Sequence, residues 1–376
     1  MTARTRTTLV SRPTRSLTTL AATACLALGV TSCSLVGSEN DDTATGTPSG
    51  SSSEGLAEGD GTVVLLTHSD FYLPEEVVAA FEDETGYTLE VRPNDGVGTL
   101  ANLVSAQAGA PTGDVVFGID NTFGSRVLDS GAVAAYPGEL PDGVEDDALP
   151  GDDAGAFVPV DNGNVCVNVD DTWFADNDLE PPATLDDLVD PTYADLLAIP
   201  SAASSSPGLA FLLTTIAAYG DDWPDYWASL MDNGAEVVAG WSEAYQGEFT
   251  QGGGGGDKPV VVSYDSSPAF TVGDDGTSST SALLDTCYHQ VEYAGLLDGA
   301  EDAAGGAALI DFLLSPTVQE ALPESMYVFP VVDDTPLPDD WAQHAGRPTD
   351  PFEVDPADIE ANREDWLVEW NDVVTR

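Results

Sequence analysis

Positive charge is nearly absent from this chain. Ten Lys and Arg stand against 66 Asp and Glu, and four of the ten (Arg4, Arg6, Arg12, Arg15) crowd the very start. Beyond residue 32, six basic residues face 66 acidic ones, a net charge near −60. Such a surface repels phosphates, so nucleic acid is excluded as a partner. The charges are spread along the whole chain, which suits solubility or adaptation to salt. Attraction of a cationic ligand is the functional alternative. Histidine is scarce too. His68, His289 and His344 are scattered, with neither an HExxH pattern nor clustered cysteines, so no metal site and no cofactor are expected. Gly252 to Gly256 lack the Lys-Ser/Thr of a phosphate loop and read as a flexible surface loop. No internal repeat is evident.

Long apolar runs are also missing, apart from one near the start. Leu17 to Val30 is apolar or small throughout. At about 14 residues it is too short for a spanning helix, which needs roughly 20, but it suits the core of an export signal behind a basic leader. It ends in Val30-Thr31-Ser32-Cys33, which looks like a lipobox, so residues 1–32 are expected to be a lipoprotein signal peptide and Cys33 the lipidated residue. Residues 33–60 are rich in Ser, Gly, Thr and acidic side chains, a composition that behaves as a flexible tether. Four cysteines occur, two of them (Cys25, Cys33) in the signal region. Cys166 and Cys287 remain, an even pair in an exported chain, for which a disulfide is the default and a free reactive thiol the alternative.

The remaining 315 or so residues exceed one typical core and suggest two domains. Strands and helices alternate. Thr62 to Leu66 reads as a buried strand, Pro74 to Thr85 as a helix stopped by Gly86, Leu89 to Val91 as a strand, Val97 to Gln107 as a helix and Val115 to Gly118 as a strand. After Phe157 to Val160 a second lobe is expected, with strands at Val165–Val169, Val237–Ala239 and Val260–Tyr264 and an apolar helix at Pro207–Tyr219. Val291–Leu297 and Ala307–Leu314 read as amphipathic helices on the way back to the first lobe. The rhythm predicts a mostly parallel α/β sheet. Lobe 1 is expected at 61–160 plus 268–376 and lobe 2 at 161–267, with a hinge at crossings near 160 and 265. Ligands of such sheets sit just beyond the carboxyl ends of the strands.

Several blocks carry a family likeness: Asn94-Asp95-Gly96-Val97, Asp114 to Asn121, Phe157 to Asp161 and Ser205-Ser206-Pro207-Gly208-Leu209. Gly240-Trp241-Ser242-Glu243-Ala244-Tyr245, Ser263 to Phe270, Gln290-Val291-Glu292 and Trp366 to Arg376 follow in the same order. The Gly-Trp-Ser-Glu-Ala-Tyr and Ser-Tyr-x-x-Ser-Pro-Ala blocks are the specific ones. Together they resemble the bacterial thiamine-binding periplasmic proteins, of the two-lobed type II solute-binding fold with the ligand in the interlobe cleft. The resemblance implies that Trp241 and Tyr264 offer aromatic faces to the thiazolium cation, since a buried fixed charge needs such a face or a carboxylate. It implies a carboxylate at Asp95, a close-approaching backbone at Gly96, and hydroxyls or amides from Ser205 and the turn Tyr264-Asp265-Ser266-Ser267. His68 and Tyr327 fall where the family has a tyrosine and a tryptophan, and Phe270 where it has a tyrosine. Each residue has a structural alternative: core packing for Trp241, Tyr264, His68 and Tyr327, a helix N-cap for Asp95.

The resemblance implies a monomeric receptor, lipid-anchored on the outer face of the cell membrane, that hands thiamine or its phosphates to an ABC permease. The ferric-binding relatives of this fold use adjacent tyrosines, and no Tyr-Tyr pair occurs. The rival class is an enzyme: thiaminase I resembles the family in fold and ligand, and would use Cys166 as its nucleophile. That requires a free thiolate and a base.

Overall fold

The computed structural model describes residues 55–376. The leader, Cys25, Cys33 and most of the tether lie outside them. Ten strands form one sheet: β1 (Thr62–His68), β2 (Thr88–Asn94), β3 (Val115–Asp120), β4 (Val133–Ala134), β5 (Phe157–Asp170), β6 (Leu197–Pro200), β7 (Glu236–Val238), β8 (Val260–Tyr264), β9 (Thr280–Leu297) and β10 (Phe329–Pro330). Their order is β2-β1-β3-β9-β5-β8-β6-β7, with β4 on β9 and β10 on β5.

The sheet is mixed, which corrects the mostly parallel expectation. β1 pairs in parallel with β2 and β3, and β6 in parallel with β7 and β8, where helical crossovers connect them. Between these two parallel sets lie β5 and β9, which pair antiparallel with each other and with β8 and β3. The segments expected at 157–160 and 165–169 are one 14-residue strand, buried along its whole length. Some of its polar members bond inside the sheet: the Asn168 amide donates to the Tyr264 carbonyl at 3.1 Å.

Val291–Leu297 is strand, not helix. It is the inner end of the 18-residue β9, every residue from Val291 on being buried between β3 and β5. A short apolar run covered on both faces has no period of two, so the sequence alone does not separate it from a buried helix.

Elsewhere the expected elements hold within a few residues: helices occupy Glu75–Thr85, Val97–Ala106, Ser206–Tyr219 and Ala303–Leu313. β1 shows how two cores are filled from one sheet. Val63 and Leu65 face the layer under the helices at 75–85 and 303–313, while Leu66 faces the layer under 97–106. The C-terminal helix Pro356–Val374 packs on the helices at 223–232 and 124–130, with Trp370 edge-on to Trp227 at 5.6 Å.

Cys166 of β5 and Cys287 of β9 are joined as a disulfide across a sequence separation of 121 residues. Closing so large a loop removes chain entropy from the unfolded state worth about 4–5 kcal/mol. The five-glycine run is a surface loop, but a packed one. A Cβ at Gly252, Gly254 or Gly256 would collide with backbone carbonyls of Tyr245, Gln246 and Glu248.

Candidate functional site

Both parallel sets aim their carboxyl ends at one place. β1 delivers His68 and Asp70, β2 delivers Asp95 and Gly96, β6 leads to Ser204–Ser206, β7 to Trp241, and β8 ends at Tyr264. Glu292 of β9 and Tyr327 complete a cavity of about 660 Å³. Two helices begin at this wall, at Val97 and Ser206, and neither has a side-chain cap. Their first N–H groups are therefore left for the cavity.

One wall is aromatic. Trp241 is stacked on Tyr245 behind it, with ring centroids 5.3 Å apart and planes at 8°. Its indole N–H donates to Ser263 Oγ at 2.9 Å, which locks the ring. Tyr264 and Tyr327 lie 6.2 and 5.8 Å from Trp241, both tilted toward it. Burial holds the Tyr264 phenol well above its ordinary pKa, with the Glu292 carboxylate adding to the effect, so it stays neutral. Tyr327 takes a left-handed backbone (φ 65°), and its carbonyl accepts a hydrogen bond from Ser266 Oγ at 2.7 Å.

The floor is ionisable. The Asp70 backbone N–H donates to His68 Nδ1 at 3.2 Å, leaving Nε2 to face Glu292 Oε1 at 3.3 Å. Burial works against the His68 cation, but Glu292, Asp70 and Asp120 outweigh it and raise its pKa. Beneath lies Asp161, fully buried, with neither carboxylate oxygen hydrogen-bonded. Burial first, then the Glu292 carboxylate, push Asp161 well above the usual carboxylate range. Asp120 is also raised by burial, partly offset by hydrogen bonds from Ser206 and Thr122.

The rim is built by contacts between the two ends of the sheet. Ser242 Oγ donates to Asp70 Oδ1 at 2.8 Å. Gly96 meets the 200s loop so closely that a Cβ there would lie 2.6 Å from the Ser204 carbonyl oxygen. Only a residue without a side chain fits so close an approach.

Seven of the residues singled out in the sequence line the cavity: His68, Asp95, Gly96, Ser205, Trp241, Tyr264 and Tyr327. Asp265, Ser266, Ser267 and Phe270 do not, which differs from the expectation that this turn faces the ligand. They stand one layer back. Asp265 accepts from the Asn164 side chain at 2.7 Å, Ser267 bonds Ser263 at 2.8 Å, and Phe270 packs on Tyr327 at 4.2 Å. The sequence reading passed over Asp70, Ser242, Glu243 and Glu324, which also line the cavity, and over Glu292 as a wall residue. Ser242, Glu243 and Glu292 lay within quoted blocks, and Asp70 and Glu324 did not.

Cys166 and Cys287 are wholly buried and outside the cavity wall. Among the described residues, no group of three or more His, Cys, Asp or Glu is arranged to hold a metal ion. No described helix is long and apolar enough to cross a membrane.

The family model of bacterial extracellular solute-binding proteins matches residues 76–349. The chain is 30% identical over 308 residues to the thiamine-binding periplasmic protein of Escherichia coli K12, covering 80% of this chain and 88% of that one. It is 28% identical over 327 residues to the thiamine-binding periplasmic protein of Brucella suis, covering 84% and 92%. A solved periplasmic thiamin binding protein superposes with a TM-score of 0.73 at 27% identity, covering 85% of this chain and 99% of that one. The architecture is thus the two-lobed α/β fold of type II periplasmic binding proteins. The chain belongs to the bacterial extracellular solute-binding proteins, among the relatives of their thiamine-binding periplasmic members.

Proposed function

We propose that the protein captures thiamine in this cavity and delivers it to an ABC permease. The observation that carries the reading is the pairing of an aromatic wall with a carboxylate-rich lining, in a chain 30% identical to a thiamine-binding relative. A thiazolium ring is a fixed cation that loses its water on burial. Aromatic faces and carboxylates together offset that loss. Asp95, Gly96, Ser205, Trp241 and Tyr264 make the first contacts, with His68 and Tyr327 beside them. Asp265, Ser266, Ser267 and Phe270 hold the wall from behind.

The sequence supports the remaining parts. Cys33 carries the lipid, residues 33–60 are the tether, and the receptor works as a monomer on the outer face of the membrane. Lobe 1 (61–160 and 268–376) and lobe 2 (161–267) close on the ligand by hinge bending. The enzyme reading lacks a nucleophile, because the Cys166 sulfur is bound to Cys287, buried and away from the cavity.

Calorimetry of the full chain against thiamine tests the reading. Saturable one-to-one binding supports it, and no heat at micromolar protein with millimolar thiamine overturns it.

A further inference from the structure

We infer that the glycine run Gly252 to Gly256 is a positioning element of the aromatic wall: it is moulded onto the turn that carries Tyr245 and, through that ring, sets the angle of Trp241. Its bearing on affinity rests on the thiamine reading of the cavity. Just after Trp241 the chain makes a helical turn that widens over Glu243–Glu248, where the Phe249 N–H reaches back five residues to the Ala244 carbonyl at 3.0 Å. A turn of this width is rare, occurs mostly singly, and is frequent at functional sites. Its inner face is held by Ala244, Tyr245 and Phe249, buried among Ala198, Val238 and Val261. From this turn Tyr245 presents its ring to Trp241, with planes 8° apart. Relaxation toward ordinary helical spacing would shift Tyr245 along and around the helix axis and end that parallel contact.

The glycines cover the outer side of the turn. The run is pinned at both ends: the Thr250 and Gln251 side chains donate to Asp170 Oδ2 at 2.6 and 2.8 Å, and the Lys258 N–H donates to the Glu248 carbonyl at 2.9 Å. Between these ties the residues alternate in what they require. Gly253 and Gly255 take left-handed backbones (φ 84° and 83°), which a residue with a side chain adopts only at a cost. Gly252, Gly254 and Gly256 do not, but they lie against the carbonyls of Tyr245, Gln246 and Glu248, where a Cβ does not fit. A flexible linker has no use for this alternation, since Gly and Ser serve it equally. Here each glycine answers to the shape of the turn beneath, so run and turn are fitted as one unit. The contact is backbone on backbone. A push on those carbonyls meets no side chain to absorb it and passes to the Tyr245 ring, and from there to Trp241.

The test uses the full chain with its seven tryptophans labelled as 5-fluorotryptophan, the Trp241 fluorine signal being identified by Trp241→Phe. Gly254→Ala places a Cβ on the Gln246 carbonyl, and Gly255→Val strains a left-handed backbone that Gly255→Asn tolerates. In the first two variants the Trp241 signal should move while the other signals hold. Calorimetry should find thiamine bound about tenfold more weakly by both. Gly255→Asn should keep the signal and stay within about threefold of the parent affinity. Added to Trp241→Ala, Gly254→Ala should cost less than about threefold more, because its effect runs through that ring. A Trp241 signal unmoved in the folded variants overturns the inference. So does a moved signal with unchanged thiamine affinity, or an undiminished loss in the Trp241→Ala background. If Gly254→Ala does not fold, the pair at the exposed Gly255 decides alone. A parent chain that binds no thiamine overturns the thiamine reading instead, and the fluorine signal still decides what the glycines position.

Discussion

The aromatic wall and the ionisable floor of the cavity are held in opposite ways. Trp241 is gripped by Tyr245, Ser263 and Tyr327, and the contacts that lock it are the contacts of an ordinary core. The wall is therefore rigid before any ligand arrives, and it stabilises the fold while waiting. The floor does the reverse. Asp161 is buried with no hydrogen bond to either oxygen, beside Glu292, which in turn faces His68. Burying such groups costs stability unless each is paired or neutralised. Stability and recognition coincide in the wall and compete in the floor, so the two should respond differently to substitution.

The largest effect should come from cutting what lies beneath both. Replacing Cys166 and Cys287 with serine frees β5 from β9 and should lower stability by about 4–5 kcal/mol. Denaturant unfolding measures this, and thiamine affinity in the folded variant should change far less. A large loss of affinity at unchanged stability would mean that the disulfide shapes the cavity directly.

Next comes the wall. Trp241→Ala removes the aromatic face and the anchor of its neighbours, and should weaken thiamine binding by about 2–3 kcal/mol, roughly 30-fold or more. Calorimetry on a variant shown to be folded decides it. Unchanged affinity would reduce Trp241 to core packing.

The floor should answer in the other direction. The raised pKa of Asp161 means that the folded chain keeps a proton the unfolded chain releases. Its contribution is thus most favourable at low pH and is lost as pH rises above the ordinary carboxylate value of about 4. Asp161→Asn removes that loss. At pH 7 the variant should be more stable by about 1–3 kcal/mol, with the difference shrinking toward pH 4. A melting temperature that falls at pH 7 would show that the Asp161 carboxyl supports the fold.

The smallest effect is a dependence of affinity on pH. His68 has a raised pKa, so above pH 6.5 it still takes a proton at Nδ1, giving up the bond from the Asp70 N–H, and its cation then opposes a second cation in the cavity. Thiamine affinity should rise about three- to tenfold from pH 6.5 to 8.5 as that charge leaves and Glu292 turns to the ligand. Ionisation of Asp161 acts with the same sign, Asp70 and Asp120 being the other acidic neighbours of His68. His68→Gln should flatten the rise. An equally steep rise in the variant would assign it to the acidic pair instead.

Much of the site was legible in the residue order, because strand ends and helix starts are local features. Asn94-Asp95-Gly96-Val97 announces a strand that stops and a helix that begins, and such junctions are where open α/β sheets place ligands. The Trp241 and Tyr264 blocks were distinctive for the same reason. Ser266, Ser267 and Phe270 belong to the same turn as Tyr264, and nothing local separates a residue on the wall from one behind it. That separation follows from which side of the turn meets Tyr327.

By itself, the sequence determined the strand and helix positions outside the centre and the pairing of two leftover cysteines. These depend on composition and short-range patterning. Only the tertiary structure decided that 291–297 runs as strand, since a segment buried on both faces carries no period to read. It also decided that five carboxylates, spread from Asp70 to Glu324, surround one cavity while Asp161 is sealed beneath them. An acidic side chain looks the same in sequence whether it faces water, a cation or the interior. The difference lies in the dielectric around it, which is a property of the packed chain and not of its neighbours in sequence.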